Sequence, residues 1–124
     1  MEKRFSLVTR MKSFTHAGRG IRVFFMSTHN AWIHGVVTLC VITLGIILKI
    51  SYIEWILVLL AVGLVLVAEA FNTAIEIDID LTSPEFHPYA RDTKDVAAGA
   101  VLIASIISGI IGCIIFIPKL ISII

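Results

Sequence analysis

The chain has 124 residues, of which 58% are hydrophobic and only 15% are charged. Soluble globular domains carry about 25% charged residues, so this composition excludes an ordinary soluble domain and indicates a membrane protein. The net charge of +1 conceals a separation: residues 1–32 hold six basic residues against Glu2, whereas residues 69–95 hold seven acidic residues against Arg91 and Lys94. Such a separation is typical of a membrane-surface anchor beside a cation site.

An amphipathic pattern runs from about residue 12 to residue 28, after a polar segment (1–10) that is expected to be a loose terminus. Apolar residues recur there at helical spacing, and basic residues occupy another side: Phe14, Ala17, Ile21, Phe24 and Phe25 against Lys12, Arg19 and Arg22. A helix of this kind lies in the membrane interface with its basic groups towards anionic headgroups. The pattern therefore predicts a surface helix.

Three apolar stretches, at about residues 33–50, 55–80 and 94–117, predict transmembrane helices. As a helix, the first would be about 27 Å long, close to the thickness of the hydrocarbon core of a bilayer. We therefore expect an all-α membrane protein in which residues 1–124 form one domain, with three transmembrane helices and an N-terminal amphipathic surface helix.

Residues that commonly cap or end helices predict the limits of the third span. Asp92 or Thr93 is expected to cap the third helix, and Pro118 is expected to close it. The excess of basic residues before the first span places the N-terminus, and with it the 78–95 loop, on the cytoplasmic side of the membrane.

Small residues at four-residue spacing line the third span: Ala100, Ala104, Ser108 and Gly112. Such a ridge lets another helix approach closely. It fits either a homo-oligomer with sites near protomer boundaries or packing among the chain's own helices.

The second span ends in a polar face formed by Glu69, Asn72, Thr73, Glu76 and Asp80. At 100° per residue these five positions fall within about 100° of one another. A carboxylate at membrane depth costs about 2.5–3.5 kcal/mol on insertion scales, so two on one face indicate a functional site rather than a stabilising feature.

The residue types on this face suit phosphoryl transfer, which needs a cation, a proton acceptor and positive charge near the phosphates. Desolvation makes a carboxylate more basic, so Glu69, deepest in the apolar run, is the expected base. Glu76 is the expected Mg²⁺ ligand. Lys94 supplies phosphate-binding charge, with Asp95 beside it. The chain has neither of the glycine-rich phosphate loops, GxxxxGK[ST] and GxGxxG, that mark soluble nucleotide-binding proteins.

Two segments, EAFNTAIEIDID (69–80) and HPYARDTKDVAAGAVL (87–102), resemble the signature of the prokaryotic diacylglycerol kinase family, and the similarity extends from Ser13 to Pro118. The resemblance implies a homotrimer in a bacterial inner membrane, with composite active sites, that phosphorylates a membrane lipid alcohol with MgATP. By position it makes Glu69 the catalytic base, with Asn72 close by, and Glu76 the metal ligand. It assigns nucleotide binding to Asp80, Lys94 and Asp95.

The second segment is more similar to the branch of the family typical of Gram-positive bacteria, several of whose members phosphorylate undecaprenol, so undecaprenol is favoured over diacylglycerol. One position departs from the family pattern. Where the family has a metal-binding glutamate, two residues ahead of the position matching Asn30, this chain has Thr28. Either water or another carboxylate completes the metal site, or activity is reduced or altered.

Two other kinds of function stay open on the sequence: an ion-coupled transporter subunit, since carboxylates in membranes also mark ion paths, and a catalytically impaired family member that acts as a membrane assembly partner. No nucleic-acid partner is expected. Cys40 and Cys113 are expected to be buried free thiols. The four histidines have no metal-ligand spacing and are expected at the interface or in loops: His16, His29, His34 and His87.

Overall fold

The computed structural model describes residues 4–124, which form four α-helices and no strand. These are α1 (Leu7–Ser27), α2 (His29–Ile47), α3 (Tyr52–Thr82) and α4 (Pro88–Ile123). By length and composition, α2, α3 and α4 are each able to cross a membrane. The predicted fold class is confirmed. Glu2 and Lys3, which belong to the charged N-terminal segment, lie outside the described residues.

The surface helix α1 begins earlier than predicted, because Ser6 caps it. The Ser6 hydroxyl accepts a hydrogen bond from the amide of Thr9 at 3.4 Å, which satisfies one of the free amides at a helix start. Residues 7–10, expected in a loose terminus, are therefore helical.

A single residue, Thr28, separates α1 from α2. Its backbone is extended (φ −136°, ψ 140°), and its hydroxyl oxygen accepts a hydrogen bond from the amide of Ala31 at 3.3 Å. The rings of Phe25 and Trp32 pack across the break with centroids 6.3 Å apart. Thr28 thus turns the chain from the surface helix into the first span.

The turn between α2 and α3 is tight and fully hydrogen-bonded. Lys49 has a left-handed backbone (φ 50°), and the amide of Ile50 donates to the carbonyl of Gly45 at 3.2 Å, a common way to end a helix. Ser51 and Glu54 then form a reciprocal capping box that starts α3. Lys119 of α4 reaches this turn and contacts Glu54 at 3.2 Å.

The apolar core lies at this same end of the bundle, where Ile50, Val58, Ile115 and Phe116 are buried. The most extensive helix contact is between α3 and α4, and the Ser108 hydroxyl donates to the Ala61 carbonyl across it at 2.8 Å. From the small-residue ridge, Ala104 and Ser108 face α3, whereas Ala100 is exposed. At those two positions the small residues contribute to packing between helices of the same chain.

The predicted start of α4 is wrong by one and a half turns. The imidazole Nδ1 of His87 caps the helix by accepting from the amide of Tyr89 at 3.2 Å, and Pro88 occupies the first turn, where a missing amide donor costs nothing. Neither Asp92 nor Thr93 is the cap. The expected 78–95 loop shrinks to residues 83–87.

The predicted end of α4 is also wrong, because the helix passes through Pro118 and ends at Ile123. A proline removes one backbone hydrogen bond, and membrane helices tolerate that loss where neighbouring groups compensate for it.

The cysteines are free, as expected, but both are exposed rather than buried. Three spans enclose little interior, so most of the large apolar side chains of the described residues face outwards. Both thiols therefore face outwards together with most of the apolar side chains around them.

Gly45 gives a test of the packing at the α2–α3 turn. A β-carbon on this buried glycine would lie 2.7 Å from Cη2 of the Trp55 indole and 3.1 Å from Cδ1 of Ile50. We expect Gly45→Ala to lower the free energy of unfolding by about 1–3 kcal/mol, since overpacking displaces both side chains.

The measurement is thermal unfolding of the detergent-solubilised protein. The matched control is Gly20→Ala in α1, where a β-carbon would meet nothing within 4 Å; it should leave the stability unchanged or raise it slightly. Equal melting temperatures for Gly45→Ala and the wild type would contradict the close Gly45–Trp55 contact.

Candidate functional site

The polar face of α3 passes from the buried interior of the bundle to solvent. Glu69, Asn72 and Thr73 are buried, with Glu69 only 4% exposed, whereas Glu76 is half-buried and Asp80 is exposed. At 1.5 Å per residue, Glu69 lies about 26 Å and Asp80 about 42 Å from Tyr52 along the helix. With Tyr52 at one interface of a hydrocarbon core of about 30 Å, Glu69 lies just inside the opposite boundary and Asp80 beyond it.

Glu69 is held by a histidine from the first span. The His34 Nε2 atom lies 2.9 Å from Glu69 Oε1, and the two side chains are 23% and 5% exposed. Within residues 4–124 this is the one side-chain hydrogen bond of Glu69, and its Oε2 atom has none. His34 was expected at the interface or in a loop without a role in the site; it lies on α2 and contacts Glu69.

The sequence contains a signal that could have identified this contact, namely the similar depth of the two residues in neighbouring spans. His34 precedes the α2–α3 turn at Leu48 by 14 residues, and Glu69 follows Tyr52 by 17. Antiparallel neighbouring helices bring such positions to the same level. A polar side chain inside the first span should then pair with the carboxylate opposite it.

One turn further along α3, Asn72 and Glu76 form a second polar pair. The Asn72 amide donates to Glu76 Oε1 at 3.2 Å, while Asn72 Oδ1 and Thr73 Oγ1 are buried without a hydrogen-bond partner. A buried oxygen without a partner costs about 1–3 kcal/mol, so these atoms mark a place where a ligand would be favourable.

The donor set at this point fits Mg²⁺, which takes oxygen ligands and commonly uses only one or two protein carboxylates, with phosphates and water completing its sphere. Glu76 and Asn72 Oδ1 are suitable oxygens. No cluster of three or more His, Cys, Asp or Glu side chains capable of binding a metal occurs in the part of the chain described, residues 4–124.

The aqueous end of the face contains an ion pair between α3 and α4. Lys94 Nζ contacts Asp80 Oδ1 at 2.5 Å, with both side chains well exposed. Because α4 starts at Pro88, Lys94 lies on its second turn and faces α3. Asp95 is exposed, and it lines a shallow pocket of about 250 Å³ together with Asp80, Lys94 and the 83–87 segment.

An apolar groove of about 340 Å³ runs along the bundle between α2, α3 and α4. Its wall consists largely of valine, isoleucine and leucine side chains with several small residues between them, among them Ala61, Ser105 and Gly109. His34 lies at the end nearest Glu69. The groove is therefore open to an apolar chain at membrane depth and ends beside a buried carboxylate.

The structure brings some of the predicted site residues together and leaves others apart. Lys94 meets Asp80, and Asn72 meets Glu76. Thr28 lies at the start of α2, where its hydroxyl is engaged in capping; within residues 4–124 it makes no hydrogen bond to Glu76. The side chain of Asp95 likewise makes no hydrogen bond to another described residue.

A polar site at the membrane boundary, a groove for an apolar chain and a lysine at the aqueous end are together suited to modifying a membrane lipid. The sequence places the chain in a defined class of such proteins. Residues 15–116 match the family model described as prokaryotic diacylglycerol kinase, and the chain belongs to this family.

Curated relatives agree. The chain is 43% identical over 109 residues to the undecaprenol kinase of Bacillus subtilis, covering 88% of this chain and 89% of the relative. It is 37% identical to a diacylglycerol kinase of Synechocystis, over 89% of this chain and 63% of the relative. It is 30% identical to the diacylglycerol kinase of Escherichia coli, over 84% of this chain and 85% of the relative. The predicted family and enzyme class, lipid kinase, are confirmed.

Proposed function

We propose that this protein transfers the γ-phosphate of MgATP to the hydroxyl group of a membrane lipid, with undecaprenol as the favoured acceptor. The observation that supports this most strongly is the placement of Glu69. Its carboxylate is buried at the boundary of the hydrocarbon core, one oxygen is engaged by His34, and the other is free. The apolar groove ends beside this contact.

Glu69 acts as the general base in this proposal. The lipid chain lies in the groove and brings its hydroxyl to Glu69, which accepts the proton as the lipid oxygen attacks the γ-phosphorus. The new O–P bond forms while the bond to the β,γ-bridging oxygen breaks, and ADP leaves. A positioned base typically contributes a factor of about 10²–10⁴ to the rate.

Glu76 and Asn72 Oδ1 would hold Mg²⁺, which neutralises the charge that develops on the phosphates. The buried and unpartnered Asn72 oxygen supports this assignment. Asp80, Lys94 and Asp95 would hold the nucleotide at the aqueous end, where the Lys94 ammonium faces the same side of α3 as Glu76.

A homotrimer with sites at protomer boundaries fits the exposed apolar surface of the single chain. Three helices leave both the groove and the α3 face open on one side, and a neighbouring protomer would close them. The basic residues before the first span favour a cytoplasmic N-terminus, which places the site on the cytoplasmic side. ATP is available on that side.

The general-base role is tested by Glu69→Gln. We expect the purified variant to transfer radiolabelled γ-phosphate from ATP to lipid at least 100-fold more slowly than the wild type, because an amide cannot accept the hydroxyl proton. The control is Asp78→Asn, which neutralises an exposed carboxylate on another side of the same helix and should retain wild-type activity.

Absence of transfer to lipid by the wild type would overturn the proposal and favour an ion-coupled transporter subunit or a membrane assembly partner. Equal activity of Glu69→Gln and Asp78→Asn would instead remove Glu69 from the chemistry while leaving the kinase intact.

The acceptor preference is tested by offering undecaprenol and diacylglycerol side by side to the purified protein with MgATP. We expect a higher kcat/KM for undecaprenol, in line with the greater similarity to the Bacillus subtilis relative. Turnover confined to diacylglycerol would contradict this preference.

The role of Thr28 is tested with substitutions that separate its helix-capping hydroxyl from the effect of an added carboxylate. If the missing carboxylate limits metal binding, Thr28→Asp should lower the Mg²⁺ concentration needed for half-maximal activity several-fold, since aspartate also caps helices well. Thr28→Glu should do the same but lose up to about 2 kcal/mol of stability with the cap.

Thr28→Ser keeps the cap without adding charge and should behave like the wild type. Identical Mg²⁺ activation curves for all four proteins would show that water or another ligand already completes the site.

A further inference from the structure

His34 contacts the proposed base Glu69 but has no role of its own in the phosphotransfer proposed above. It lies in the first span, on a different helix from the proposed base and metal ligand, and its ring touches Glu69 at 2.9 Å while also lining the apolar groove. Its own carbonyl accepts a hydrogen bond from the Thr38 hydroxyl at 2.7 Å. The ring is therefore part of the wall between the groove and the carboxylate.

The protonation state of this contact follows from the role of its partner. To act as the general base, Glu69 must be in its carboxylate form, which only accepts hydrogen bonds, so His34 Nε2 must carry the hydrogen. A neutral imidazole with a hydrogen on Nε2 has none on Nδ1. His34 then acts towards Glu69 as a fixed donor.

A fixed donor on one oxygen decides where the other oxygen points. A free glutamate side chain at a lipid-facing boundary can adopt several rotamers. With Oε1 bound to His34, the carboxylate plane is fixed and Oε2 is left for the acceptor hydroxyl. A displacement of about 1 Å in such an arrangement can cost about 10² in rate.

We propose that His34 is the positioning residue for the catalytic carboxylate: its Nε2–H donates to Glu69 Oε1 and directs Oε2 towards the lipid hydroxyl. This inference rests on the proposed function. It assigns a role in phosphotransfer to the first span as well as to α3 and α4.

The test compares His34→Gln with His34→Leu in the purified, lipid-reconstituted protein. The glutamine amide reaches about as far as His Nε2 and also donates, whereas leucine fills similar space without a donor. We expect His34→Leu to lower kcat at least 10-fold with the KM for ATP within about threefold of wild type, and His34→Gln to recover kcat to within about threefold.

His29→Leu is the matched control, since His29 lies on the same helix, is exposed, and makes no side-chain hydrogen bond to another residue in 4–124. It should retain wild-type kcat. If His34→Leu fails to fold, His34→Asn replaces it, because the shorter amide remains polar but does not reach Glu69.

A kcat of His34→Leu within twofold of wild type would overturn the inference, and so would equal losses in His34→Gln and His34→Leu. In both cases the wild type still phosphorylates lipid and the proposed function stands. A wild type without lipid phosphorylation would overturn the proposed function itself, and this inference with it.

Discussion

The structure depends on keeping one carboxylate at the edge of the hydrocarbon core. A buried charge needs a partner, because water is absent and an unpaired carboxylate is costly there. His34 supplies that partner to Glu69 from the neighbouring helix. The contact requires α2 and α3 to be antiparallel with a short, fixed turn, and the left-handed Lys49, the Ser51–Glu54 capping box and the Gly45–Trp55 contact provide it.

The remaining site geometry follows from the length of α3. Its 31 residues are about 46 Å long, well beyond the hydrocarbon core, so one helix face presents a buried carboxylate, a half-buried carboxylate and an exposed one in sequence. The short 83–87 segment and the early start of α4 at Pro88 then return Lys94 to the exposed end. A single helix thus presents a buried carboxylate to a hydroxyl group in the lipid and exposed polar groups to a phosphate donor in water.

Much of the fold and of the candidate site was predictable from the sequence, because hydropathy and helical spacing are local properties. The three spans, the surface helix and the shared face of Glu69, Asn72 and Glu76 could be predicted from the residues themselves. The cap of α4 was predicted wrongly although its signal is local, because Pro88 occupies the first turn directly after His87. The continuation of α4 through Pro118 and the exposure of both cysteines depend instead on what surrounds these residues in the fold. The His34 contact combines two helices, so no single-helix pattern contains it.

In the proposed mechanism two carboxylates on one face have different tasks: Glu69 takes the proton and Glu76 holds the metal. Mg²⁺ activation curves for lipid phosphorylation by Glu69→Gln and Glu76→Gln test this division most directly. We expect Glu76→Gln to need at least about 10-fold more Mg²⁺ for half-maximal activity, whereas the residual activity of Glu69→Gln should keep the wild-type midpoint. The same shift in both variants, or a shift in Glu69→Gln alone, would contradict it.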